Sequence, residues 1–176
     1  MDAQPFLIKT LALVATALEQ AGINYALAGG LAYSALVEPR ATVDMDFLVV
    51  SDEASRGALL TALAPHFDSL FPHAEPMVLT GATIWRVVCV QGTREIIVDF
   101  LLGDEDFHRA ALDRRQFIEF SGIHLAIVTP EDLYLLKARS IRPQDRLDMD
   151  RVQQHCGSAL DQGYIKGWLS RWKLKV

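Results

Sequence analysis

The chain has 176 residues, 51% hydrophobic and 22% charged, a globular mixture that excludes collagen-like, low-complexity and disordered chains. At roughly 150 residues per domain, one domain over 1–176 is expected, with a core over about 1–128 and a helical part over about 129–176. Its 17 basic and 22 acidic side chains give a net charge of −5, which disfavours a general nucleic-acid coat and leaves room only for a local basic groove.

No apolar run approaches the ~18 residues that a membrane helix needs, so no membrane partner is expected. The stretch Leu11–Leu18 lacks the basic flank and small-residue cleavage pattern of a signal peptide. Cys89 and Cys156 have no partner at ligand spacing, so neither zinc nor a disulfide framework is expected, and a cytoplasmic, reducing compartment fits best.

In chain order, Phe6, Leu7, Leu11, Val14 and Leu18 recur at helical spacing, and Gly22 stands where that helix should stop. Tyr25–Ala28 reads as a short strand running into Gly29-Gly30, and Leu31–Val37 as a helix that Pro39 must end. Asp46–Val50 is apolar on both faces, the mark of a buried strand. Glu53–Leu63 has helical spacing and stops before Pro65. Thr83–Val90 and Arg94–Leu102, joined through Gln91-Gly92, read as a β-hairpin. A short helix over Asp106–Arg114 precedes a second hairpin, Phe117–Val128, turning at Ser121-Gly122. Thr129-Pro130-Glu131-Asp132 supplies a capping hydroxyl, a proline at the first helical position and acids in the first turn. Leu133–Ile141 continues that helix, Pro143 breaks it, and helices over Gln144–His155 and 158–174 follow. The fold class expected is α/β (α+β): a mixed central sheet flanked by helices, with a helical C-terminal part.

The segment that carries chemistry is Ala28–Val50. Asp44 and Asp46 are two apart on a strand and so share a face. Two such carboxylates repel, and desolvating them costs free energy unless a cation lies between them. Mg²⁺ suits hard oxygen ligands and is often shared with substrate phosphates. The glycine pair leaves backbone N–H groups open to a phosphate, and Arg40 offers a fork of donors. Asp99 is an aspartate inside the otherwise apolar run Ile96–Leu102. If its strand lies beside that of Asp46, three carboxylates converge, enough for two divalent ions and for nucleotidyl transfer.

Gly29-Gly30, thirteen intervening residues, Asp44-x-Asp46 and a later strand Asp99 together resemble the DNA polymerase beta-like nucleotidyltransferase superfamily, whose motif is an hG[G/S] loop followed by a Dh[D/E]h pair. The Arg40-x-Thr42-x-Asp44-x-Asp46 form and the stretch Thr129-Pro130-Glu131-Asp132-Leu133…Lys137…Arg142-x-x-Asp145 look closer to its small bacterial branch, which includes abortive-infection-type toxins and lincosamide-type antibiotic nucleotidyltransferases. The resemblance spans about residues 24–152. It departs at Leu31, where many members carry serine; the nearest here is Ser34.

The resemblance implies Mg²⁺-dependent transfer of a nucleoside monophosphate from an NTP to an acceptor hydroxyl on tRNA or other RNA, a protein or a small molecule. A cognate antitoxin or other partner protein is implied as well. In this reading Asp44 and Asp46 hold two ions, Asp99 ligates the catalytic one, and Gly29, Gly30, Arg40, Thr42 and Lys137 bind the nucleotide. Two other readings stand beside it. One is a catalytically silent nucleotide- or partner-binding module with the same fold. The other is a structural domain whose acids form ion pairs, such as Asp46 with Arg40 and Asp145 with Arg142. Lys137 reads equally well as a surface lysine with its ammonium in solvent, and Asp148 and Asp150 as solvated. The five histidines show no ligand spacing, and Trp85, Trp168 and Trp172 read as packing residues.

Overall fold

The computed structural model describes residues 3–50 and 55–174, with side chains from residue 6 onward. Helix α1, Ala3–Gln20, buries Leu11, Val14, Ala15 and Leu18. Gly22, at φ +67°, ends it in the left-handed region that favours glycine. Strand β1, Tyr25–Ala28, follows, then helix α2, Gly29–Leu36, and strand β2, Asp44–Val50. Helix α3, Arg56–Leu63, is capped by Ser55, whose hydroxyl accepts from the Ala58 N–H. The expected start of α3 at Glu53 lies outside the described residues.

The short strands β3 (Ser69–Pro72) and β4 (Met77–Leu79) precede the long hairpin β5 (Ala82–Gln91) and β6 (Arg94–Gly103). Helix α4, Asp106–Asp113, leads to a second hairpin, β7 (Gln116–Phe120) and β8 (Ile123–Ile127). Ser121 and Gly122, both at positive φ, make its turn. Helix α5, Pro130–Ala138, is capped by Thr129, whose hydroxyl accepts from the Asp132 N–H. Helices α6 (Pro143–Cys156) and α7 (Gln162–Trp172) complete the order.

The strands form one mixed sheet in the order β3-β5-β6-β2-β1-β8-β7, with β4 also on β5. Strands β2 and β6 run parallel, as do β1 and β8; the other pairs are antiparallel. Phe47, Phe100, Leu48, Val98 and Ile127 are fully buried at its centre, as expected of strands covered on both faces. Because β3 and β4 meet β5 at different places, that margin of the sheet is broken by the non-strand residues His73, Ala74, Glu75 and Pro76.

The mixed sheet flanked by helices agrees with the expected class. Details differ: β2 begins at Asp44 rather than Asp46, and α5 ends at Ala138 rather than Ile141. Helix α2 begins at the glycines themselves, two residues early. The strands β3 and β4 carry no alternating pattern, and prolines at 72 and 76 hide them. The last helix starts at Gln162 rather than 158, because Asp161 is its cap and accepts from the Tyr164 N–H at 2.9 Å.

Candidate active site

The register of the sheet builds the site. Ala28 pairs with Asp46 across β1 and β2, Asp46 with Asp99 across β2 and β6, and Asp99 with Arg86 across β6 and β5. These four residues form one row across four strands, with side chains on the same face. The glycine turn begins one residue past the end of that row.

Gly29 is the residue this turn cannot replace. Its φ is +60°, and a Cβ there would collide with the Asp46 carboxylate. The backbone therefore passes directly against that carboxylate, and the Gly30 N–H donates to it. A Cβ on Gly30 would stand 2.8 Å from Thr42 Oγ1 and 3.0 Å from Arg40 Nη2, so the loop 39–43 closes over the turn. Thr42 Oγ1 donates to Asp44 Oδ1 at 2.8 Å. Ser34 Oγ donates to the Gly30 and Arg40 carbonyls and accepts from the Arg40 N–H, so its hydroxyl is engaged in fastening the loop to α2. The same loop walls an open, mainly apolar cleft of about 720 Å³, whose other side includes Phe6, Leu7, Leu31 and Phe120.

Burial pushes the Asp46 carboxyl up to about 7; repulsion from Asp44 and then Asp99 adds to this, and the Gly30 N–H opposes it. Asp99 is nearly buried and receives a two-pronged fork from Arg86: Nε to Oδ1 at 2.8 Å and Nη2 to Oδ2 at 2.6 Å. The hydrogen bonds to Asp99 raise the Arg86 guanidinium above its usual range, so it is charged at every pH of interest.

A second charged cluster lies where α5 meets α6. Lys137 is buried and donates to Asp145 Oδ1 at 3.0 Å and to Asp148 Oδ2. Asp148 also receives Arg40 and the Gln144 amide, and Asp145 receives Arg142 Nε at 2.6 Å. Burial disfavours both carboxylates, yet hydrogen bonds from Ser140, Lys137 and Arg142 hold Asp145 low, and those from Lys137, Gln144 and Arg40 do the same for Asp148.

Asp44, Asp46, Asp99, Gly29, Gly30, Arg40 and Thr42 thus meet around one turn. Asp148 is not solvated but 1% exposed, because Lys137 and Arg40 both end on it. Lys137 is no surface lysine, for the same reason. Arg40 pairs with Asp148, not with Asp46. The Asp145–Arg142 pair is present, Asp150 is exposed, and the tryptophans pack as expected: Trp85 against Phe100, and Trp168 and Trp172 against Phe107. Arg86 was missed, although the hairpin announced it. A two-residue turn pairing Gln91 with Arg94 forces Arg86 opposite Asp99.

The donor set suits a hard divalent ion: Asp46 is a desolvated carboxylate beside Asp44, and among the described residues the two accept from neutral donors, the Gly30 N–H and the Thr42 hydroxyl. Asp99 differs, since both of its oxygens are engaged by Arg86. Among the described residues, no group of three His, Cys, Asp or Glu side chains is drawn together closely enough to hold a metal ion. Among the same residues, no helix is long and apolar enough to cross a membrane.

No curated protein matches the chain. Among solved structures, TM1012 from Thermotoga maritima, described as a nucleotidyltransferase, superposes with a TM-score of 0.56 at 14% identity, over 97% of this chain and 96% of that one. ANT(2")-Ia, solved in complex with adenylyl-2"-tobramycin, gives 0.61 at 12% identity over 94% and 98%. The lincomycin-bound lincosamide antibiotic adenylyltransferase LnuA gives 0.50 at 13% over 87% and 96%. At these identities the likeness establishes the fold. The family described as "Nucleotidyl transferase AbiEii toxin, Type IV TA system" matches residues 11–156, a span that includes the glycine turn, the acid row and the α5–α6 cluster. By that match over most of its length, the chain belongs to this family of nucleotidyltransferase enzymes.

Proposed function

We propose that the chain moves a nucleoside monophosphate from an NTP to an acceptor hydroxyl, as the toxin component of a toxin–antitoxin pair, using the row Asp46–Asp99 together with Asp44. The observation that carries this reading is the glycine turn lying directly against Asp46, a carboxyl pushed up to about 7 mainly by burial. A carboxylate desolvated in that way, beside backbone N–H groups at a helix start, suits a cation shared with a phosphate. Divalent ions, when bound, would supply Lewis-acid activation of the acceptor hydroxyl and neutralise the leaving pyrophosphate. Asp44 and Asp46 are the residues to hold them, with Asp99 joining for the chemical step. Gly29 and Gly30, which carry no Cβ, let the phosphates approach the start of α2, Thr42 steadies Asp44, and Arg40 and Lys137 provide positive charge beside the turn.

The test is incubation with each labelled NTP, Mg²⁺ and cell extract, followed by partition of the label among RNA, protein and small molecules. Label should enter one fraction with the parent chain and none with Asp46→Asn. Equal labelling by both would refute the proposal. The silent-module reading draws on Arg86, which gives Asp99 a structural partner. The variant Asp99→Asn separates the two readings. On the enzymatic reading, nucleotide affinity stays within a few-fold while transfer falls by orders of magnitude, because only a transition-state contribution is lost. On the silent reading, neither the parent nor the variant transfers anything.

A further inference from the structure

We propose that Arg86 is a built-in counter-cation for Asp99 that restricts the nucleotide-free site to a single divalent ion, held by Asp44 and Asp46. The inference rests on the metal-dependent reading above and deepens it. Its basis is an asymmetry within the row. Asp44 and Asp46 accept from neutral donors, a hydroxyl and a backbone N–H, which leave their charges uncancelled. Asp99 instead takes a guanidinium on both oxygens, at 2.8 and 2.6 Å. A fork of that kind matches a carboxylate in charge and in geometry. A dication seated on the same carboxylate would meet a fixed positive charge within a few ångströms.

The sheet makes the fork unavoidable. Arg86 and Asp99 are directly opposed residues of one tight hairpin, so the two side chains are delivered together. Arg142, a second guanidinium near Asp44 and Asp46, is tied to Asp145 and mostly exposed. It offers those two acids no comparable fork. Among the described residues, Asp99 is therefore the one of the three carboxylates that carries its own cation.

The experiment measures Mn²⁺ binding to the full chain without nucleotide, by loss of the free-ion electron paramagnetic resonance signal and by calorimetry. The parent, Arg86→Gln and Arg86→Lys are compared, each with and without Asp46→Asn, and circular dichroism confirms folding. The parent should bind one ion, which Asp46→Asn abolishes. Arg86→Gln should bind a second ion, or the same ions at least tenfold more tightly. Arg86→Lys, which keeps the charge but not the fork, should fall between, and it carries the test alone if the glutamine variant does not fold. Two ions on the parent, or unchanged binding in both Arg86 variants while Asp46→Asn still abolishes the site, would overturn this inference and leave the metal-dependent reading standing. No Mn²⁺ on the parent at millimolar concentration would overturn both.

Discussion

At the scale of single residues, the site depends on one missing methyl group. Gly29→Ala places a Cβ where the Asp46 carboxylate sits and holds a non-glycine residue at φ +60°. The left-handed backbone alone costs about 1–2 kcal/mol, and relief of the clash must move either the turn or Asp46. Chemical denaturation should show that loss, and Mn²⁺ binding should fall with it; a variant as stable and as metal-competent as the parent would contradict the packing described. Asp46 also sets a pH dependence. In the metal-free chain its carboxyl is raised to about 7, against about 3.9 when unfolded. Between these values the folded chain binds more protons than the unfolded one, so stability falls as pH rises through that window. Asp46→Asn should flatten this slope. It should match the parent near pH 4 and exceed it by about 1–3 kcal/mol at pH 8, after allowance for solvent screening. Denaturation curves in chelator at several pH values would check this, and parallel slopes would refute it.

At the scale of elements, α5 and α6 are joined through Lys137. Its ammonium is buried between Asp145 and Asp148, and removing one partner of such a cluster strands the others. Lys137→Met should therefore destabilise the chain by about 3 kcal/mol, read from urea midpoints, besides any effect on nucleotide binding. A stable variant would mean that the lysine serves the nucleotide alone. This cluster also marks the limit of what the sequence discloses. The Thr129 cap, the Pro130 start and the two hairpins were legible because their signals are local. Asp148 was not, since its partner Arg40 lies 108 residues away and nothing in Leu147-Asp148-Met149 distinguishes a buried acid from a solvated one. Arg86 falls between. Its pairing follows from hairpin register, but a lone arginine in Trp85-Arg86-Val87 reads as an ordinary exposed position until Asp99 is set opposite it.

At the scale of the whole molecule, the three acids come from two parallel neighbours, β2 and β6, separated by more than forty residues of chain. The family motif made their convergence legible; periodicity alone could not, because it says nothing of strand order. Ligands that join these parts should stabilise the whole. Mg²⁺ with an NTP at a hundred times its dissociation constant adds about 2.7 kcal/mol, a rise in melting temperature of roughly 5–10 °C for a chain of this size. The pair should act more strongly than either component alone. A thermal scan with no change for the pair would count against the site.

The broken margin of the sheet has a bearing on how the protein behaves in concentrated solution. Phe71, Val78 and Leu79 are exposed there, at 59%, 81% and 54%, and on a continuous outer strand such residues would invite self-association through free backbone groups. Pro72 closes β3, Pro76 precedes β4, and the four intervening residues leave the ladder interrupted. Proline has no N–H to offer an incoming strand. The interruption is therefore expected to act as a gatekeeper against fibre-like stacking along this margin. Replacing both prolines with valine should leave the acid row intact while raising light scattering on concentration, and unchanged solubility would show that the apolar margin needs no such guard.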